Sequence, residues 1–430
     1  MVEITVKPTN KLQGVLTSPA SKSYTQRMLI AAALSDGLGR VINPLLSEDT
    51  SATLRAITAL GAQTHENENY WTVKGTRKLK ITTDLIDVGE SGATLRFMIP
   101  IAALAVGQST FLLSASLERR PIEPLLSSLK MLNVEAYPKQ INNLQTIIVE
   151  GKGEISGGKT CIPGDISSQF ISGLMFACPM AKTDTEIQIT TPVESENYIK
   201  MTQEVLDLHQ IEASISDDYR RIHIPGRQTF KQIDSKVPGD FSSAAFLLAA
   251  AAITNSRVKI NNLNYNTTQQ GDRAILEILK QMGVNEKICD NSVDIQGVES
   301  LLKAVDIDAQ NIPDLVPICA VLACYADGQT KIFNAQRLKL KESNRLATIY
   351  EELTKMGASI VKDETSLTIK GPCKLYGTTI NSHNDHRIAM ACTIAALKAK
   401  GETIIKNAEC VRKSYPSFYT DLISIGAEIN

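Results

Sequence analysis

One segment recurs six times along the chain: a helix end written Leu-Gly-Ala or a variant, a short pair of strands, and a closing glycine. The copies begin at Leu60-Gly-Ala, Leu132-Asn-Val, His209-Gln-Ile, Met282-Gly-Val, Met356-Gly-Ala and Ile425-Gly-Ala. Their markers Gly61, Asn133, Gln210, Gly283, Gly357 and Gly426 stand 72, 77, 73, 74 and 69 residues apart. Solenoid units run about 20–50 residues, so a period near 70 describes a larger helix-and-strand unit. Glycine after a helix tolerates positive φ, with Asn the usual substitute. The segments that follow, Tyr70–Gly75, Thr146–Gly151, Arg221–Gly226, Val293–Gly297 and Leu367–Gly371, alternate with period two and read as strands with one buried face. The sixth copy breaks off at Asn430, and Val2-Glu-Ile-Thr-Val-Lys7 is expected to complete it.

A second echo halves the chain. Pro163-Gly-Asp-Ile-Ser-Ser168 and Pro238-Gly-Asp-Phe-Ser-Ser243 lie 75 residues apart, each ahead of an apolar helix. The expected fold is therefore α/β, with two similar domains of three units each. Residues 21–237 form one, and residues 1–20 with 238–430 form the other, so that the chain crosses twice, near Ala20 and near Val237. A cleft between such domains is a common place for a ligand.

Composition narrows the function by exclusion. With 45 basic against 46 acidic residues the net charge is −1, which gives no long-range field for nucleic acid or an anionic membrane. Any anion site must be a local concentration of Lys and Arg. The eight cysteines include no C-x-x-C pair, and neither His383 nor His386 has cysteine partners at zinc-finger spacing, so a reducing compartment and no metal are expected. The N-terminus lacks a signal-peptide pattern, and the apolar run Ala244–Ile253 is too short to span a bilayer, which points to the cytoplasm. No phosphate-binding P-loop or dinucleotide fingerprint occurs, so no cofactor is expected.

Cations gather instead at helix starts. Ser18-Pro-Ala-Ser-Lys-Ser-Tyr-Thr-Gln-Arg27 runs into an apolar helix that Ser21 or Ser23 can cap, with Lys22 and Arg27 beside its unpaired N–H groups. Gly89-Glu-Ser-Gly-Ala-Thr-Leu-Arg96 combines Gly92, where a ligand can approach the backbone, with an outward Arg96. Glu118-Arg-Arg-Pro-Ile122 sets two guanidinium groups just before a proline-started helix, which the helix dipole disfavours unless an anion compensates. Lys339-Leu-Lys-Glu-Ser-Asn-Arg345, Asn384-Asp-His-Arg-Ile-Ala-Met390 and Arg412-Lys-Ser-Tyr-Pro416 repeat the pattern, while Asp165-Ile-Ser-Ser-Gln169 offers hydroxyls and an amide. Usable carboxylates are few. Asp314 before an apolar helix has the spacing of an N-cap, and Glu342 lies between Lys341 and Arg345. A basic cleft with two such acids suits acid–base chemistry on a multiply charged substrate.

Taken together, Ser21-Lys-Ser, Glu90–Arg96, Arg120-Pro-Ile, Pro163–Gln169, Ser195 with Tyr198, Pro238–Ser243, Ile312-Pro-Asp314, Leu340–Arg345, Asn384–Met390 and Lys413-Ser-Tyr-Pro416 resemble, in order and over the whole length, the 5-enolpyruvylshikimate-3-phosphate synthases (3-phosphoshikimate 1-carboxyvinyltransferases) of the enolpyruvyl transferase family. The resemblance implies two domains of three βαβαββ units each, an inside-out α/β barrel, and a double hinge that closes over substrate. It implies transfer of the enolpyruvyl group from phosphoenolpyruvate to the 5-hydroxyl of 3-phosphoshikimate with no cofactor needed, while the repeats favour a monomer that folds both domains. Matched by position, Lys22, Ser23, Arg27, Ser167, Ser168, Gln169, Ser195, Tyr198, Asp314 and Lys341 would hold 3-phosphoshikimate. Lys22, Gly92, Arg120, Gln169, Arg345, Arg387 and Lys413 would hold phosphoenolpyruvate. Asp314 would take the hydroxyl proton, Glu342 would serve the methylene carbon, and Lys22 and Lys413 the departing phosphate. The chain departs from the family pattern at Glu90, Ala93, Phe97-Met98 and Arg337. The related UDP-N-acetylglucosamine enolpyruvyl transferases have Lys-Asn where Lys22-Ser23 stands, and a loop cysteine where residues 111–122 have none.

Overall fold

The computed structural model describes residues 2–9, 11–298 and 300–430, apart from the side chain of Ala115. Each sequence copy builds one small sheet, and the six sheets share a plan. Each has two parallel strands, joined through a helix in the second, third, fifth and sixth copies, and a returning antiparallel strand, in most copies the second arm of a hairpin, beside them. In the second copy Leu85–Asp87 runs parallel to Val106–Leu112, which pairs antiparallel with Leu144–Lys152, itself paired with Glu135–Ile141. In the sixth, Thr379–Asn381 runs parallel to Thr403–Lys406, and Glu3–Val6 from the N-terminus takes the antiparallel place.

The chain forms two compact units, residues 1–19 with 238–430 and residues 20–237. A strand exchange accounts for the two crossings. Gln13–Thr17 precedes the helix of the first copy but pairs with Arg257–Asn261 of the fourth. Ser235–Lys236 precedes the helix of the fourth copy but pairs with Gly37–Ile42 of the first.

Each unit has its own core. The helices Phe241–Ile253, Val316–Cys324 and His386–Ala396 are buried on every side, as are nearly all of Lys22–Leu34, Gly92–Ala102 and Ser168–Ala177. A helix apolar all round can only be central. Strands such as Arg257–Asn261 alternate exposed and buried residues, so the sheets pack one face inward and turn the other to solvent. Helices thus lie inside and sheets outside, as six separate sheets without a closed barrel among the described residues. Each wholly buried Leu, Ile or Phe on those helices contributes about 1.5–3 kcal/mol.

Both glycine positions of the repeat have a physical cause. All six markers hold positive φ, from 57° at Gln210 to 106° at Gly426. The closing glycine answers to space instead: a Cβ on Gly75 would lie 2.2 Å from the Ala32 carbonyl oxygen, and one on Gly151 2.1 Å from that of Ala105.

Candidate active site

In the unit of residues 20–237, polar side chains collect at the first turns of the three buried helices. Gln26 Nε2 donates to Thr53 Oγ1 at 3.0 Å, Ser91 Oγ at 3.1 Å and Thr94 Oγ1 at 3.1 Å, which ties the starts of two helices together. One turn earlier, Lys22 Nζ meets Asp49 Oδ2 at 2.9 Å. Ser21 occupies the N-cap position, but its hydroxyl makes no capping bond and Ser23 lies inside the helix. The expected serine cap is therefore absent.

Arg27 is buried to 2% exposure. Its Nε donates to Thr202 Oγ1 at 2.9 Å and Nη2 to the Tyr198 carbonyl at 3.2 Å, with the guanidinium 5.0 Å from the Phe97 ring centre and 5.8 Å from that of Tyr198. Burial lowers its pKa to about 10 against the opposing influence of Tyr198 and Tyr24. Arg27 thus fixes the helix Glu196–Leu208, which starts at Ser195, buried and held at φ 60°.

Arg96 does not face outward. It is 6% exposed, donates from Nη1 to Gln169 Oε1 at 2.7 Å and from Nη2 to the Pro121 carbonyl at 3.2 Å, and stacks over Phe170. Ser167 caps the next helix by accepting from Gln169 N at 3.3 Å, with Ser168 buried behind it. Arg120 covers Gly92 closely: a Cβ there would stand 2.8 Å from Arg120 Nη1. Arg119 and Arg120 do not stand in the first turn of the following helix, which begins at Glu123 with Pro124, and Arg119 closes the short helix Ala115–Glu118. A cation at a helix C-terminus is favourable.

In the other unit, Asp314 is no N-cap. It sits in the 3-10 turn Pro313–Leu315, and the following helix starts from Leu315. Its carboxylate is ringed by cations: Arg345 Nη1 at 2.6 Å, Arg387 Nη2 at 3.3 Å and Lys341 Nζ at 3.4 Å. Arg345, 1% exposed, also reaches Glu342 Oε2 at 2.5 Å and Asp385 Oδ2 at 2.8 Å. Burial alone would lower the Arg345 pKa, but Asp385, Glu342 and Asp314 outweigh it and raise it further. Lys341 is lowered to about 8, by burial first and then by Arg337 and Arg345, against the pull of Asp314 and Glu342. Its side chain keeps 24% of its surface in solvent, and the retained water moderates the drop. Lys413 donates to the Asn384 carbonyl at 2.7 Å, and His386 is buried in the first turn of its helix.

Asp49, Asp385 and Asp272 belong to these clusters and escaped the sequence reading, although Asp385 lies inside a quoted motif. Asp272 accepts from Ser242 Oγ in a buried turn, beside Gln270, which accepts from Phe241 N at 3.0 Å. Burial, then Asp314, raise its pKa to about 7, opposed by Arg387. The Gly271-Asp272 pair ahead of the amphipathic helix Ala274–Gln281 was the available signal. Against the expectation of no metal cluster, Glu351, Glu352 and His383 come within 4.8 Å of one another. Lys355 already supplies the cation there, 2.8 Å from Glu352 and 3.3 Å from Glu351.

Among the described residues no helix is long and apolar enough to cross a membrane. The family model described as EPSP synthase (3-phosphoshikimate 1-carboxyvinyltransferase) matches residues 6–422. The chain is 43% identical over 432 residues to the 3-phosphoshikimate 1-carboxyvinyltransferase of Methanocaldococcus jannaschii, covering 100% of this chain and 99% of that one. It is 39% identical to the protein of that name from Clostridium novyi, covering 98% and 97%. Among solved structures, EPSP synthase from Acinetobacter baumannii superposes with a TM-score of 0.83 at 27% identity, covering 100% and 99%. The enolpyruvyl transferase NikO from Streptomyces tendae shares the fold, with a TM-score of 0.79 at 19% identity, covering 100% and 98%.

Proposed function

The chain belongs to the EPSP synthase (3-phosphoshikimate 1-carboxyvinyltransferase) family, and on that premise we propose that it transfers the enolpyruvyl group of phosphoenolpyruvate to the 5-hydroxyl of 3-phosphoshikimate, releasing phosphate. The observation that carries this reading is Asp314, an acid held among Arg345, Arg387 and Lys341 with 14% of its side chain still open.

The chemistry needs a proton taken from the attacking hydroxyl, a proton moved to the methylene carbon and later removed, and a phosphate charge balanced as it leaves. Asp314 takes the hydroxyl proton as the oxygen attacks C2 of phosphoenolpyruvate. Glu342, held by Arg345, serves the methylene carbon, and the tetrahedral adduct then loses phosphate. Lys22, Gly92, Arg120, Gln169, Arg345, Arg387 and Lys413 take phosphoenolpyruvate, with Lys22 and Lys413 on the leaving phosphate. Ser23, Ser167, Ser168, Gln169, Ser195, Tyr198 and Lys341 take 3-phosphoshikimate. Arg27, buried against Tyr198, positions that pocket. Small residues suit the phosphoenolpyruvate contacts: Gly92→Ala would push Arg120 aside and raise the KM for phosphoenolpyruvate about tenfold, equivalent to about 1.4 kcal/mol, with little change for 3-phosphoshikimate. Steady-state kinetics with each substrate varied in turn checks this.

The decisive assay is phosphate release with phosphoenolpyruvate plus 3-phosphoshikimate, beside reactions with UDP-N-acetylglucosamine or no acceptor. Release that requires 3-phosphoshikimate, and is lost in Lys22→Ala, is expected; equal release with the UDP-sugar would refute the acceptor. The Lys341 ammonium, lowered to about 8, adds a pH signature. Because it binds an acceptor only when charged, 3-phosphoshikimate affinity falls as pH rises through that value, and Lys341→Arg moves this limb upward. Calorimetric titration at pH 7 and pH 9 reads it. The repeats favour a monomer that folds both halves, and the eight free cysteines favour a reducing cytoplasm; light scattering of the purified protein tests the oligomeric state.

A further inference from the structure

We propose that Cys324 and Cys373, which lie outside the site assigned above, are a dithiol built to close into a reversible intramolecular disulfide. Cys324 ends the wholly buried helix Val316–Cys324, and Cys373 lies in the link that leaves the strand Leu367–Gly371. Cys373 N donates to the Cys324 carbonyl at 2.7 Å, each thiol acts directly on the titration of the other, and Cys373 Sγ donates to the Lys370 carbonyl at 3.3 Å. That bond between Cys373 N and the Cys324 carbonyl sets the two residues side by side, the proximity demanded by a disulfide, which spans ~4.4–6.8 Å between α-carbons. Gly371 permits the approach, since a Cβ there would lie 2.3 Å from the Ala326 carbonyl oxygen and 3.2 Å from that of Cys324.

The pair is asymmetric in the way the chemistry requires. Cys373 is partly exposed, and its sulfur lies 3.4 Å from the Ser359 N–H. The hydrogen bond from Cys324, and then Ser359, push its thiol down to about 6 against burial. Cys324 is held protonated by its bond to Cys373 and by burial. A partly exposed thiolate beside a protonated thiol is the arrangement of an attacking and a resolving cysteine.

With a peroxide as oxidant, the Cys373 thiolate attacks one peroxide oxygen and the O–O bond breaks. Cys373 becomes a sulfenic acid, and the departing hydroxide is released as water. The Cys324 sulfur then attacks Cys373; the S–S bond forms, the S–O bond breaks, and the oxygen leaves as a second water carrying the Cys324 proton. Two thiols lose two electrons to one peroxide.

The test is limited oxidation of the full-length protein by hydrogen peroxide, followed by alkylation and peptide mapping without reductant. The expected result is a single Cys324–Cys373 link, with two of the eight thiols lost and both recovered with dithiothreitol. In Cys324→Ser, Cys373 should stop at the sulfenic acid, which dimedone traps. Bimane labelling of Cys373 should show a half-point near pH 6 that moves upward in Cys324→Ala, which removes the donor, with exposed Cys289 as the reference. A first link from Cys324 to Cys392, a cross-link between chains through Cys289, or labelling of Cys373 no faster than of Cys289 at pH 7 would each overturn the proposal.

Discussion

Asp314→Asn lowers kcat by about two to four orders of magnitude, the contribution expected of a positioned general base, while both KM values change little. Asn preserves the shape of the side chain and can still accept from Arg345, so binding geometry survives and proton transfer does not. Asp314 is not the N-cap, since its helix starts from Leu315, so any fall in the urea midpoint of the variant comes from the cations left uncompensated and is read separately from kcat. Single-turnover phosphate release at saturating 3-phosphoshikimate reads the chemical step directly. A fall smaller than tenfold would move the role of base to Glu342, the other partly open carboxylate beside Arg345.

Arg345→Ala destabilises the protein by about 3–5 kcal/mol, because removing one partner of a buried ion cluster leaves the others uncompensated. Three carboxylates meet this guanidinium, and Asp385 among them has no exposed surface at all. Without the arginine, Asp385 keeps the Ser343 hydroxyl and the Arg387 N–H as donors but loses its buried counter-charge. Arg345→Lys should recover only part of the stability, since one ammonium cannot reproduce the planar fork that reaches three acceptors. Urea unfolding at pH 8 measures both effects. Equal stability of wild type and Arg345→Ala at pH 8 would show that water reaches Asp385.

The sixfold architecture was legible because each copy carries two positions fixed by local geometry: a positive-φ residue after a helix and a glycine against a helix end. Such constraints act within a few residues and leave a mark on sequence. The site motifs were legible for a related reason, since each is a run of polar residues at the start of a buried helix, where an apolar pattern would otherwise be expected.

What each charge in those runs faces was not legible. Arg96 reads as outward from its motif, yet it is buried against Gln169 and Phe170. Asp314 has the spacing of a cap, yet it faces three cations from residues 341, 345 and 387. The exchange of Gln13–Thr17 and Ser235–Lys236 between the sheets of the first and fourth copies left no local trace, because either strand suits either sheet. The sequence by itself determined the repeating unit, the two halves and the polar helix starts, all consequences of backbone geometry and hydrophobic period over short distances. Only the tertiary structure decided the ion pairs, because Asp314, Arg345 and Asp385 are separated by 31 and 40 residues in the chain and their meeting depends on how three units pack around one core.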